Sequence, residues 1–127
     1  MSKRLVIDLD GTLTHDDPTR VYAEKEPNKA VVERLIEYKA AGFEIVVYSA
    51  RNMRTYQNSV GKINANTLPV IIEWLQRHGV PYDEIHVGKP WCGTQGFYVD
   101  DRAIRPAEFI HMTPEEVHAL LGSSEAF

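Results

Sequence analysis

The sequence predicts an α/β fold of the Rossmann-like type, three layers (α/β/α) around a mostly parallel sheet. Two observations carry this. Short apolar runs recur at residues 5–7, 44–49, 85–87 and 97–99, and such runs suit strands covered on both faces of a parallel sheet. Between and after them lie segments of helical period, so the order is strand, helix, strand, helix, strand, strand, helix. A third observation sets the working edge: polar residues follow each run, and parallel sheets bind ligands beyond the carboxyl ends of their strands.

The elements follow in order. Leu5, Val6 and Ile7 form a strand that stops at Asp8. Residues 28–41 place Val31, Val32, Leu35, Ile36 and Lys39 at helical spacings, and Gly42 stops the helix. Residues 44–49 return to strand. In residues 68–78 Thr67 is the expected N-cap, Ile71, Ile72 and Leu75 share a face, and Gly79 is the stop. Two further strands, at 85–87 and 97–99, end at Gly88 and Asp100. The tail opens with Thr113-Pro114-Glu115-Glu116, a capping box with proline at the first helical position. Gly122 ends that helix, and residues 123–127 are expected to fray.

Composition bounds the class. The chain has 127 residues, 43% hydrophobic and 25% charged, which fits one domain, 1–127, with about two-thirds of its surface buried on folding. The single cysteine, Cys92, excludes a disulfide framework and a cysteine zinc site. No apolar run approaches membrane-spanning length, and the first one ends at an aspartate, unlike a signal peptide. A cytoplasmic protein without membrane contact is expected. The net charge of −4 argues against a general nucleic-acid binder. The charge is uneven, however. Residues 51–62 hold Arg51, Arg54 and Lys62 with no acid, an anion-friendly segment in an acidic protein.

The chemistry gathers at the strand ends. Asp8 and Asp10 follow the first strand, Ser49 ends the second, Lys89 follows the third, and Asp100 and Asp101 follow the fourth. Carboxylates packed together repel and need a cation to stay ionised. Hard oxygen donors without His or Cys point to Mg²⁺ rather than zinc. Lysine and serine beside that ion would bind phosphate oxygens. Each residue also has an ordinary explanation, as turn, cap or solvated surface group. Their joint occurrence in this chain order is the signal.

Asp8-Leu9-Asp10-Gly11-Thr12-Leu13-Thr14, Ser49, Lys89 and Asp100-Asp101 resemble the four motifs of the haloacid dehalogenase superfamily of phosphohydrolases, over residues 4–101. Within it the pattern is similar to small cap-less phosphatases, some linked to bacterial capsule or lipopolysaccharide synthesis. The resemblance implies a fold of that type and Mg²⁺ as cofactor. It implies Asp8 as nucleophile, forming an aspartyl-phosphate, and Asp10 as general acid and then base. Ser49 and Lys89 would hold phosphoryl oxygens. The Asp8 carboxylate, the Asp10 carbonyl and the Asp100 carboxylate would hold the metal, with Asp101 behind them or acting through water. Gly11, Thr12, Ala50, Arg51 and Arg54 are the expected substrate-side residues.

The spacings exclude a cap domain. Asp10 and Ser49 enclose 38 residues, and after the helix only residues 12–27 are spare, sufficient for a β-hairpin flap. Ser49 and Lys89 enclose 39, of which only 50–66 are spare. The expected site is open, or covered by a second subunit in a homo-oligomer. The flap (His15, Asp16, Asp17, Arg20, Tyr22) and the basic loop (Arg51, Asn52, Arg54, Tyr56, Gln57, Asn58, Lys62) are the candidate specificity elements, and their amide and phenol groups suit a small phosphorylated sugar. A phosphatase of polynucleotide ends, or a non-catalytic phosphate-binding member, are the alternatives. A response-regulator receiver is disfavoured by motif order, and P-loop and dinucleotide glycine motifs are missing.

Overall fold

A computed structural model describes residues 3–122; the fraying expected for residues 123–127 lies outside them. The chain forms two compact units, Met1–Trp91 and Cys92–Phe127. The first holds β1 (Arg4–Asp8), α1 (Lys29–Ala40), β2 (Glu44–Tyr48), α2 (Val60–Asn66), α3 (Leu68–Arg77) and β3 (Glu84–His86). The second holds α4 (Pro106–His111) and α5 (Pro114–Leu121).

The three strands pair in parallel in the order β1-β2-β3, with Asp8 opposite Tyr48 and Tyr48 opposite His86. All three therefore finish at one edge. Side chains alternate across a pleat, and one face carries Ile7, Ile45 and Val47, all buried, with α1 and α3 supplying Val31, Val32, Leu35, Ile71, Trp74 and Leu75 to the same core. Val6, on the other face, is 58% exposed, so full coverage of both faces does not hold at β1.

Helix α1 follows Asn28 and ends before Gly42, whose φ of 98° is the left-handed turn a glycine stop provides. It buries Tyr38, while Ile36, expected inside, is exposed. Thr67 precedes α3 but makes no side-chain cap. Its hydroxyl donates instead to Asn52 Oδ1 at 2.7 Å, tying α3 to the segment after β2. In the second unit the capping box at α5 is formed: Thr113 Oγ1 accepts from the Glu116 N–H and Glu116 Oε1 from the Thr113 N–H.

Four expectations need correction. Residues 97–99 form no strand; Phe97 and Val99 are 78% and 88% exposed. Their β-branched and aromatic character favours strand only where a neighbour takes up the backbone N–H and C=O groups. The segment expected as a basic loop contains α2, started by Ser59, whose Oγ accepts from the Lys62 N–H, and held by buried Ile63. Helix α4 was not expected; Glu108 Oε1 accepts from the Arg105 N–H at its start. The flap is no full hairpin: it closes through a single antiparallel bridge, Thr14 opposite Pro27, and carries a helical turn at Tyr22–Glu24.

Candidate active site

Residues Leu9–Leu13 leave β1 as one wide turn. The Thr14 N–H donates back to the Leu9 carbonyl at 3.0 Å, and Leu9 and Leu13 are fully buried anchors on either side. Gly11 sits at φ 81°, a conformation that costs most other residues 1 kcal/mol or more, roughly. Its N–H donates to Thr14 Oγ1. With the turn fixed, Asp8 and Asp10 stand side by side past the strand end.

Asp8 accepts a hydrogen bond from Thr12 Oγ1 at 3.0 Å, and its other oxygen lies 3.7 Å from Lys89 Nζ. Burial pushes the Asp8 carboxyl above its ordinary range; Lys89 and the Thr12 hydroxyl pull it back and the nearby Asp10 charge pushes it further up. Ser49 and Lys89 are locked to each other beyond the strand ends. The Ser49 N–H donates to the His86 carbonyl at 2.9 Å, and the Lys89 N–H donates to the Ser49 carbonyl at 3.1 Å. Gly88 between them has φ 84°, and a Cβ there would stand 3.0 Å from Val60 Cγ2. Ser49 is buried, and its Oγ accepts from the Arg51 N–H.

Arg51 does something the sequence did not reveal. Its guanidinium grips both oxygens of Asp10, Nε to Oδ2 at 3.0 Å and Nη2 to Oδ1 at 2.8 Å. The Arg51 side chain is 1% exposed against 28% for Asp10. The Tyr22 ring from the flap packs on the guanidinium, 4.2 Å from Cζ to the ring centroid. Nη1 is buried without a hydrogen-bond partner, a deficit of about 1–3 kcal/mol in a folded protein. Lys25 lies on the same Tyr22 ring at 4.8 Å. The flap behind Tyr22 is bolted to α3: Trp74 Nε1 donates to the Lys25 carbonyl at 2.8 Å, and Arg77 Nη2 donates to the Ala23 carbonyl.

The first unit thus brings together Asp8, Asp10, Thr12, Ser49, Arg51 and Lys89 at the carboxyl edge of the sheet. Ala50 sits between Ser49 and Arg51, and Arg54 is exposed on the following turn. In the second unit Asp100 and Asp101 are exposed, and Asp100 Oδ1 accepts from the Arg102 N–H in a local turn. Among the described residues no group of three or more His, Cys, Asp or Glu side chains forms a metal cluster. The donors at the strand ends, a carboxylate and main-chain carbonyls, are nevertheless the hard oxygens that a magnesium ion takes. No described helix is long and apolar enough to cross a membrane. Besides the Asp10–Arg51 pair, the contact that sequence reasoning missed is that of Tyr22. Tyr22 was legible as an aromatic on the flap, but not as the cover of Arg51.

Comparison with known proteins agrees with this geometry. The family model for haloacid dehalogenase-like hydrolases matches residues 5–73, about half the chain and the part carrying β1, Asp8, Asp10 and Ser49. A crystal structure of a Vibrio cholerae protein is 57% identical over 96% of this chain and 98% of its own, with a TM-score of 0.92. A chain of a Pnkp1/Rnl/Hen1 complex is 20% identical over 87% of this chain and 35% of its own, at a TM-score of 0.48, too remote to carry an argument. No curated protein matches.

Proposed function

We propose, from the premise that the chain belongs to the haloacid dehalogenase-like hydrolases, that it is a phosphomonoester hydrolase acting through a phosphorylated Asp8. The observation that carries the reading is the pairing of a partly buried Asp8 carboxylate with the Lys89 ammonium 3.7 Å away at the sheet's carboxyl edge. A second carboxylate stands two residues on, at Asp10.

An Asp8 oxygen attacks phosphorus and the ester P–O bond breaks. Asp10 gives a proton to the departing oxygen, then takes one from the water that attacks the aspartyl-phosphate, releasing inorganic phosphate and restoring Asp8. Lys89 offsets charge on Asp8 and on the phosphoryl oxygens, and the buried Ser49 hydroxyl is left with its proton to donate to one of them. Thr12 holds one Asp8 oxygen, leaving the other to react. Magnesium fits the Asp8 carboxylate and the Asp10 carbonyl, and it would draw charge from the phosphoryl group. The assignment of Asp100 and Asp101 to that ion rests on the motif resemblance alone. The amide and phenol side chains of the flap and of residues 52–58 favour a hydroxyl-rich phosphorylated metabolite, with sugar phosphates first among the candidates.

The test is phosphate release from p-nitrophenyl phosphate and a panel of sugar phosphates, with Mg²⁺ and with EDTA, beside Asp8→Asn. Release that requires the metal and vanishes in the variant is expected. Metal-independent release, or release by Asp8→Asn at the wild-type rate, would sink the reading.

A further inference from the structure

We infer that Arg51 is a positioning residue that orients Asp10, with Tyr22 as its fixed wall, and that it does not bind the phosphoryl group. The inference rests on the hydrolase reading above. A basic side chain two residues after Ser49 is well placed in sequence to take a substrate anion, but the guanidinium already holds an anion, Asp10. Nε and Nη2 are spent on Asp10 in a two-point grip, and Nη1 is sealed from solvent. The Tyr22 ring covers one face of the guanidinium, and the side chain is 1% exposed.

The grip has consequences for Asp10. A carboxylate held by one hydrogen bond can rotate about χ2, whereas a planar fork on both oxygens fixes its plane. Each oxygen still has a lone pair for proton exchange. Tyr22 keeps the fork in place from the other side, and Tyr22 in turn is immobilised because its flap turn is pinned by Trp74 and Arg77 on α3. The Arg51 main chain is also tied down, since its N–H donates to Ser49 Oγ. The flap is then a bracket for the proton-transfer residue, not a moving lid. This also gives the unpartnered Nη1 a reason: a buried polar deficit persists where function holds it in place.

A double-mutant cycle on p-nitrophenyl phosphate with Mg²⁺ tests this. p-Nitrophenolate leaves without a proton, so in Asp10→Asn the formation of phospho-Asp8 is spared and only its hydrolysis lacks a base; the residual turnover is followed at high enzyme concentration. Arg51→Lys keeps the charge and loses the fork. In the wild-type background it is expected to lower kcat by ~10-fold or more, part of the 10²–10⁴ usual for proton transfer, with KM and inhibition by inorganic phosphate within about twofold. In the Asp10→Asn background it should add less than about twofold, because the two residues act as one. Tyr22→Leu, which leaves the fork intact, should follow the same pattern at smaller amplitude and serves if Arg51→Lys does not fold. A full, multiplicative loss in the Asp10→Asn background would overturn the proposal, as would weakening of KM and phosphate inhibition by tenfold. If the wild type hydrolyses no ester, the hydrolase reading falls and this proposal with it. Hydrolysis with a multiplicative cycle removes the proposal alone.

Discussion

Trp74→Phe measures how firmly the flap is fastened. Trp74 is fully buried on α3, and its indole N–H donates to the Lys25 carbonyl at 2.8 Å. Phenylalanine cannot replace that donor, so the Lys25 carbonyl is left without it, at about 1–3 kcal/mol. The smaller ring also removes roughly 40 Å² of buried apolar contact, near 1 kcal/mol plus a cavity contribution. A loss of about 3 kcal/mol is expected. For a chain of this length that lowers Tm by about 4 °C per kcal/mol, or ~12 °C in all. Urea unfolding followed by circular dichroism gives the free energy, and a thermal scan gives the Tm. A loss under about 1 kcal/mol would refute the reasoning, because the carbonyl would then have found another donor and the bracket would not depend on Trp74.

Three further outcomes are expected. Asp8→Asn should abolish phosphate release without lowering Tm, since burial raises the Asp8 carboxyl and a neutral amide avoids burying charge; a lower Tm would refute that. The Asp83 carboxyl is held below its ordinary range by the Ile45 N–H first and then by the Lys39 ammonium. A depressed folded-state value stabilises above the unfolded one and is lost as pH falls through the folded one, so urea midpoints should drop below about pH 4, and Asp83→Asn should flatten that slope. Thr113→Ala removes the acceptor of the Glu116 N–H. It should weaken α5 by about 1 kcal/mol, read as faster amide exchange in that helix.

What the sequence made legible follows from how local the cause is. Helices α1 and α5 carry their own boundaries, glycine after the first and a capping box before the second, so their ends could be read directly. Helix α2 could not: Gly61 and two asparagines form helix poorly, and its support is a Ser59 cap and one buried side chain, Ile63. Residues 97–99 failed in the opposite sense: they have strand propensity but join no sheet among the described residues. The site residues Asp8, Ser49 and Lys89 were visible because each stands at, or within three residues of, the carboxyl end of a strand. The Asp10–Arg51 pair was not, since its members are 41 residues apart and meet only once β1 and β2 take a register with Asp8 opposite Tyr48. Charge counting found the basic segment but assigned Arg51 to a substrate anion, when its anion is Asp10.

Two carboxylates two residues apart would repel if left to themselves, and the sheet answers with a separate cation for each. Asp10 has Arg51 from beyond β2, and Asp8 has Lys89 from beyond β3. The two cations are not interchangeable. Arg51 is buried and forked, whereas the Lys89 ammonium is partly exposed, 3.7 Å from its partner and 5.8 Å from the Tyr48 ring. A looser partner suits the role proposed for Asp8, because a nucleophile tightly bound at both oxygens could not attack. Lys89 is nevertheless the largest influence holding the Asp8 carboxyl down against burial. Lys89→Met removes it, so the carboxyl should move further up and the acid limb of the kcat/KM profile should shift to higher pH. Lost activity at every pH with the acid limb unmoved would mean that Lys89 serves only the phosphoryl oxygens, and that solvent, rather than this ammonium, keeps Asp8 ionised.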